Sequence, residues 1–451
     1  MNKILSVSLL LGAALTFAGC AGEEDDIFDQ SAAERLNAAS DLYSSRLEAQ
    51  PNGWAMQLYP TTDNAAPFGS GYLVICDFNA DHSVRVAMKN SLSNGRYVED
   101  TSNWDVITDD GPVLTFDTHN DVIHTFAEPD VDLSSISRDH GTGTGIGGDY
   151  EFIIVDAPED ASYMMLKGKK RGTYNLFTPM EQGVDYESYL DDVNNFTASK
   201  FSSTFPNGCL LTLKDSVYHF DGAGDGLPNI YGINEDSVTR GNFNPFLITK
   251  RGVDYYIRFR DAFTLPDNAT EQEFKFDSIA DKFIGVNDTA NSIAGYYKAR
   301  FIDEKLNAGR RFQINQKSEM GATVKAALDK VISDFRARKF TFQNVTIQKG
   351  DDGYEFIINW TQNRNAHASR TYGASFTVDG NDALTLRFTG ETNSGGTQLL
   401  KVVPSVQTLF ETLAGSFNLT APISNFNLSQ VRFNSTTDPE EWYVVNYKLR
   451  K

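Results

Sequence analysis

The stretch GYLVICDFNADHSVRVAMK, residues 71–89, decides the fold. Its halves, GYLVICDF and SVRVAMK, are runs rich in β-branched and aromatic residues, and the polar step through Asn79 and Asp81 separates them as a turn. Working outward, the same period of two begins after Pro51 in WAMQLYP and continues through NWDVI, PVLTFDT, DYEFIIVDA, SYMMLKGKK and TYNLFTPM. Each run is bounded by Gly, Pro, Asn or Asp. Successive short strands with turns between them predict an antiparallel meander over residues 51–180, closing as a lipocalin-like barrel whose mouth is the expected ligand site.

Upstream, SAAERLNAASDLYSSRLEA opens with a Ser31/Glu34 capping box and places Leu36, Ala39, Tyr43 and Leu47 at helical spacing. Downstream, EQGVDYESYLDDVNNFTASKF reads as a connecting helix. Residues 200–451 then form a second β-rich region, from GCLLTLK, SVYHFDG, NPFLITK, VDYYIRF and QEFKFDS to FTFQNVTIQ, YEFIINWTQ, TYGASFTVDG, ALTLRFTGE and EWYVVNY. Within it a helix near 320–338 sets Val324, Leu328, Val331 and Phe335 on one face. The fold class is mainly β, a β-rich α+β chain, and both halves run a helix into a meander.

The first residues give an address. Lys3 precedes an apolar run from Ile4 to Ala18, too short to span a bilayer, which needs about 20 apolar residues. Phe-Ala-Gly-Cys resembles the bacterial lipobox, which implies a signal peptide over 1–19 and lipidation of Cys20, with residues 20–50 forming an acidic tether and helix. Glu23, Glu24, Asp25 and Asp26 resemble the acidic signal that carries Bacteroidetes lipoproteins to the cell surface; a solvated tether on the periplasmic side is the alternative. Without its leader the chain has 432 residues, 39 basic and 60 acidic, for a side-chain charge of −21. So acidic a protein repels phosphate backbones, and no nucleic-acid partner is expected. Cys76 and Cys209 read as free buried thiols.

Catalytic motifs are sparse. Gly143, Gly145 and Gly148 satisfy G-x-G-x-x-G, but a strand follows them where a dinucleotide site needs a helix, so a hairpin loop is expected. Asp221 and Asp225 occupy two positions of a calcium-loop pattern that lacks its remaining ligands, leaving them as weak metal candidates. His119 and His124 lie five apart with Asp117 and Asp121 beside them; on a strand they would face opposite ways. Trp54, behind Gly53, reads as a core plug loosely like the Gly-x-Trp of lipocalins, and Trp104, Trp360 and Trp442 suit either core or sugar-stacking positions. No cofactor is expected.

The segments EEDDIFDQSAAERL, PNGWAMQLYP, GYLVICDFNADHSV, GPVLTFDTHNDVIHTFAEP, GTGIGGDYEF and LKGKKRGTYNLFTPM resemble lipoproteins of the domain of unknown function 4302 family, and YYIRFRDAFTLPDNATEQEFKFD continues the likeness. The resemblance implies a Bacteroidetes surface lipoprotein associated with outer-membrane nutrient uptake, with no established catalytic residue. The expected function is therefore a surface-exposed, outer-membrane binding accessory held by lipid on Cys20, with an uptake complex as partner. A structural partner of that complex and a carboxylate-dependent surface glycan hydrolase are the alternatives.

Overall fold

The computed structural model describes residues 31–61, 70–109, 111–128, 146–235, 243–362 and 366–448. Cys20 and the acidic residues Glu23, Glu24, Asp25 and Asp26 lie outside them. Helix α1 (Ala32–Glu48) starts at the expected capping box: the Ser31 hydroxyl accepts from Glu34 N–H, and the Glu34 carboxylate accepts from Ser31 N–H at 2.9 Å.

Strands β1 (Trp54–Leu58), β2 (Tyr72–Phe78), β3 (Ser83–Met88), β4 (Val98–Asp109), β5 (Gly111–Phe116), β6 (Glu151–Asp156), β7 (Met164–Gly168) and β8 (Tyr174–Pro179) pair in sequence order. β1 also pairs with β8, Met56 opposite Phe177, so the meander closes into a lipocalin-like barrel. Its lumen is filled. Trp54, Met56, Val74, Cys76, Phe78, Val86, Trp104, Phe116, Phe152 and Phe177 meet there, all buried. Burial of each such side chain contributes about 1.5–3 kcal/mol, which favours a solid core over an open mouth. The expectation of a ligand site in the barrel mouth is thereby corrected. Trp54 is the plug, stacked 5.9 Å from Phe177 with its indole N–H donated to Leu47 O at 3.0 Å.

Helix α2 (Tyr186–Lys200), capped by Asp185 accepting from Ser188 N–H, leads into a second set of eight strands: β9 (Cys209–Leu213), β10 (Ser216–Asp221), β11 (Asn229–Gly232), β12 (Phe246–Arg251), β13 (Asp254–Thr264), β14 (Thr270–Asp277), β15 (Lys282–Gly285) and β16 (Ser292–Gly295). Here β9 pairs with β16, and among the described residues an isolated bridge, Asn229–Phe243, just before β12, crosses the β11–β12 seam. Phe220, Phe246, Phe259, Phe274 and Phe283 fill this middle sheet.

After α3 (Lys298–Asn307) a second closed barrel runs β17 (Arg311–Ile314), β18 (Thr341–Lys349), β19 (Tyr354–Gln362), β20 (Ala366–Gly380), β21 (Ala383–Phe388), β22 (Gly415–Thr420), β23 (Gln430–Ser435) and β24 (Trp442–Lys448), with β17 pairing β24. Helix α4 (Ala322–Ala337) buries Val324, Leu328, Val331 and Phe335 against it, as their spacing requires. Helices α5 (Ser394–Val402) and α6 (Ser405–Thr412) bridge β21 to β22, and Phe410 of α6 lies 5.1 Å from Phe356.

The outer face of the first barrel is not solvated throughout. Ala55, Leu73, Ile75 and Ala87 point away from the lumen and pack with Tyr186, Leu190 and Ile248 of α2 and β12. Strands covered on both faces explain why LVIC reads as a continuous apolar run.

Candidate ligand-binding cleft

Where β12 and β13 stand beside β7 and β8, a cleft of about 640 Å³ opens between the first barrel and the middle sheet. Its floor is apolar: Met165 and Leu176 on the outer face of the barrel, then Pro179, Met180 and Val184 from the connection into α2. Asn52 donates to the carbonyl oxygens of Glu181 and Val184 at 2.8 and 2.9 Å, which fixes that connection. The opposite wall is the β12–β13 hairpin, a two-residue turn closed by the Arg251–Asp254 pair. Gly252 takes φ +61°, and a Cβ there would lie 3.2 Å from Glu181 Oε1. Glycine thus sets both the turn and the width of the cleft.

The polar groups on the walls differ in how far they are already engaged. Arg251 grips Glu273 with two parallel bonds, Nη1 to Oε2 at 3.0 Å and Nη2 to Oε1, and its guanidinium lies 4.4 Å from the Tyr256 ring centre. Tyr163 donates to Asp156 Oδ2 at 2.5 Å, and this bond, with some desolvation, raises the Tyr163 pKa. Tyr189 donates to Lys250 O at 3.0 Å, and burial pushes its hydroxyl up to about 12. The Lys250 ammonium is paired with Asp192, which raises its pKa. Arg258 differs: it is half-buried and lines the cleft, yet its guanidinium has no ion-pair partner among the described residues. Its carbonyl accepts from Tyr59 at 2.9 Å, so its backbone is fixed while its side chain is uncommitted. Of the lining carboxylates, Glu273 is held by Arg251 and Asp156 by the Tyr163 hydroxyl, whereas the Glu181 carboxylate has no ion pair among the described residues.

None of these residues stood out in the sequence. The one signal was that Leu176 is apolar at an outward position beside the inward Phe177.

The residues singled out earlier fall elsewhere. Asp221 accepts a hydrogen bond from the Tyr231 hydroxyl; Asp225 lies in the short helical turn Ala223–Asp225. Among the described residues no three His, Cys, Asp or Glu side chains converge as a metal site. His119 and His124 do meet, ring centres 5.2 Å apart, because β5 ends at Phe116 and the chain coils after it. The strand geometry that would have separated them is absent. Gly143 and Gly145 lie outside the described residues, whereas Gly148 N–H donates to Phe126 O at 2.7 Å in a close backbone approach before β6. Trp104 and Trp360 are buried, and Trp442 is covered by the Arg432 guanidinium at 3.6 Å. Cys76 and Cys209 are free and buried.

No curated protein matches this sequence. Among solved structures, kievitone hydratase from Nectria haematococca is 9% identical over 89% of this chain and 90% of its own, with a TM-score of 0.13. Intact Ap-TbpB, comprising N and C lobes, is 8% identical over 89% of this chain and 78% of its own, with a TM-score of 0.15. Likeness at that level carries no argument. The family model described as Domain of unknown function (DUF4302) matches residues 24–278, which include every residue lining the cleft and exclude the second barrel. Since the match spans more than half of the 451 residues, the chain belongs to the DUF4302 family.

Proposed function

We propose that this protein binds a small ligand in the cleft between its first barrel and middle sheet, as a surface-exposed lipoprotein anchored in the outer membrane through Cys20 and serving a nutrient-uptake complex. The observation that carries the binding role is Arg258, a half-buried cation without an ion-pair partner among the described residues, over a floor of Met165, Leu176, Met180 and Val184. A guanidinium presents its N–H donors in a planar fork suited to a carboxylate or phosphate, and with no ion-pair partner those of Arg258 are open to a ligand's acceptor. A ligand with an apolar body and an acceptor group meets both features. The anchor and the outward address rest on the Phe-Ala-Gly-Cys sequence and the acids that follow it.

A glycan hydrolase is less well supported at this cleft. Glycosidases need two carboxyl groups facing the scissile bond. Here Glu273 is engaged by Arg251 and Asp156 by Tyr163, leaving Glu181.

The test is a thermal-shift screen against fatty acids, peptides, oligosaccharides, haem and divalent metals, run on the protein and on Arg258→Gln. A ligand of the folded state at a hundredfold excess over its Kd stabilises by about 2.7 kcal/mol. The expected result is a rise in Tm from one class that Arg258→Gln abolishes. Silence across the panel, or an undiminished shift in the variant, would overturn the assignment.

A further inference from the structure

The cleft between the first barrel and the middle sheet holds an unmatched pair of charges. Arg258 and Glu181 both line it; among the described residues neither has an ion-pair partner, nor do they pair with each other. The opposite charges beside them are already engaged. Glu273 stands across the β13–β14 ladder from Arg258, but both its oxygens are held by Arg251. Lys250, close enough for Glu181 to raise its pKa, is bound to Asp192. A guanidinium fork and a carboxylate that share a cleft without meeting suit a ligand that carries both charges, held apart.

The β12–β13 hairpin sets how far apart. A Cβ on Gly252 would lie 3.2 Å from Glu181 Oε1, which puts this carboxylate at the tip of the turn. Arg258 stands four residues beyond Asp254, which closes the turn with Arg251, and that is about 13 Å along the strand. A single amino acid carries its ammonium and carboxylate on one carbon and is too short for this span. A fully extended tetrapeptide reaches about 13–14 Å, which matches it. Between the two charges lies the apolar floor of Met165, Leu176, Pro179, Met180 and Val184. Its two methionines adapt to side chains of different shape, so the floor favours apolar residues without demanding one sequence. A fatty acid would satisfy Arg258 and leave Glu181 facing water.

We propose that the cleft takes a short apolar peptide with free ends, about four residues long, its N-terminal ammonium donating to Glu181 and its C-terminal carboxylate accepting from Arg258. This assignment deepens, and rests on, the reading of the cleft as a ligand site.

The test uses pools of tetrapeptides built from Ala, Val, Leu and Phe, with both ends free, N-acetylated or C-amidated. Each is added to the protein, to Glu181→Gln and to Arg258→Gln. Tm is read first, then affinity by calorimetry on the strongest single peptide. The expected result is that the free pool raises Tm, and that blocking either end weakens binding at least about tenfold. In Glu181→Gln acetylation should no longer matter while amidation still does, and in Arg258→Gln the reverse should hold. A purely structural role for either residue would not give that crossover. Glu181 is exposed, the unliganded Tm of each variant verifies its fold, and the end-blocked peptides test the unaltered protein without any substitution. Equal binding of free and acetylated peptides overturns the proposal, as does a penalty for acetylation that survives in Glu181→Gln. Decanoate raising Tm through Arg258 while every peptide pool is silent also overturns it, and leaves the cleft a site for another class of ligand. Silence from the peptides and from every class in the wider screen takes down both readings.

Discussion

Lys200 Nζ, at the end of α2, lies 2.6 Å from Asp281 Oδ1 in the β14–β15 turn, at the joint between the middle sheet and the second barrel. The other oxygen of Asp281 accepts from Asn425 N–H at 2.7 Å and Ser424 Oγ at 3.0 Å, both from the β22–β23 connection. Phe426, next along that connection, is buried in the aromatic core of the middle sheet, 5.5 Å from Phe201. One carboxylate therefore ties three segments together.

Burial alone would raise the pKa of Asp281, but the bonds from Lys200 and from Asn425 N–H outweigh it and hold the carboxyl below its usual range. A lowered folded value means that the stabilisation is complete above the ordinary aspartate pKa of about 3.9 and is lost as pH falls through the folded value. Asp281→Asn is expected to cost about 1–3 kcal/mol at neutral pH and to flatten the acid limb of the stability curve. Denaturant melts at pH 7 and at about pH 2, below the ordinary aspartate range, check both.

Gln57 poses the opposite case. It is fully buried on the outward face of β1, across the ladder from Leu73 and Leu176, and neither end of its amide has a partner among the described residues. An unpaired buried amide costs about 1–3 kcal/mol. Gln57→Met, similar in volume, is expected to raise Tm. A fall in Tm would show that the amide has a partner in solution.

Gly147 has φ +78°, and a Cβ there would sit 1.8 Å from Thr61 O, a backbone atom that itself accepts no easy displacement. The Thr61 N–H donates to Gly147 O at 3.2 Å, so the two chains are held face to face. Gly147→Ala should cost about 2 kcal/mol or more by combined strain and displacement. Urea unfolding of the variant measures it.

Burial pushes both the Cys76 and Cys209 thiols well above their usual pKa. Since the thiolate is the reactive form, neither should label in the native protein within minutes at pH 8, and both should label in denaturant. Site-resolved mass spectrometry reads the result, and rapid native labelling at either would contradict the packing.

Most strands of the first barrel and the buried face of α4 were legible because each obeys one local period, two for β4 and 3.6 for α4. The cleft was not. It joins Leu176 to Arg258, two strand positions far apart in the chain that no shared local pattern links. The coverage of Leu73 and Ile75 by α2 and β12 was likewise hidden, since a residue's pattern does not name what lies on its second face. His119 and His124 were misread by carrying strand geometry past Phe116, where pairing with β6 had already stopped.

The order of strand pairing also governs how the chain folds. In the first barrel every ladder joins neighbours in sequence except β1 with β8, and in the second every one except β17 with β24. Such meanders have low contact order until their final pairing, so hairpins form early and ring closure sets the rate. The middle sheet adds a dependence: Phe246, at the start of β12, donates to Gly226 O and accepts from Gly71 N–H of the first barrel. The β12 edge is therefore covered in part by an earlier stretch of the chain, and a fragment lacking the first barrel would leave those backbone groups open to pairing with another strand.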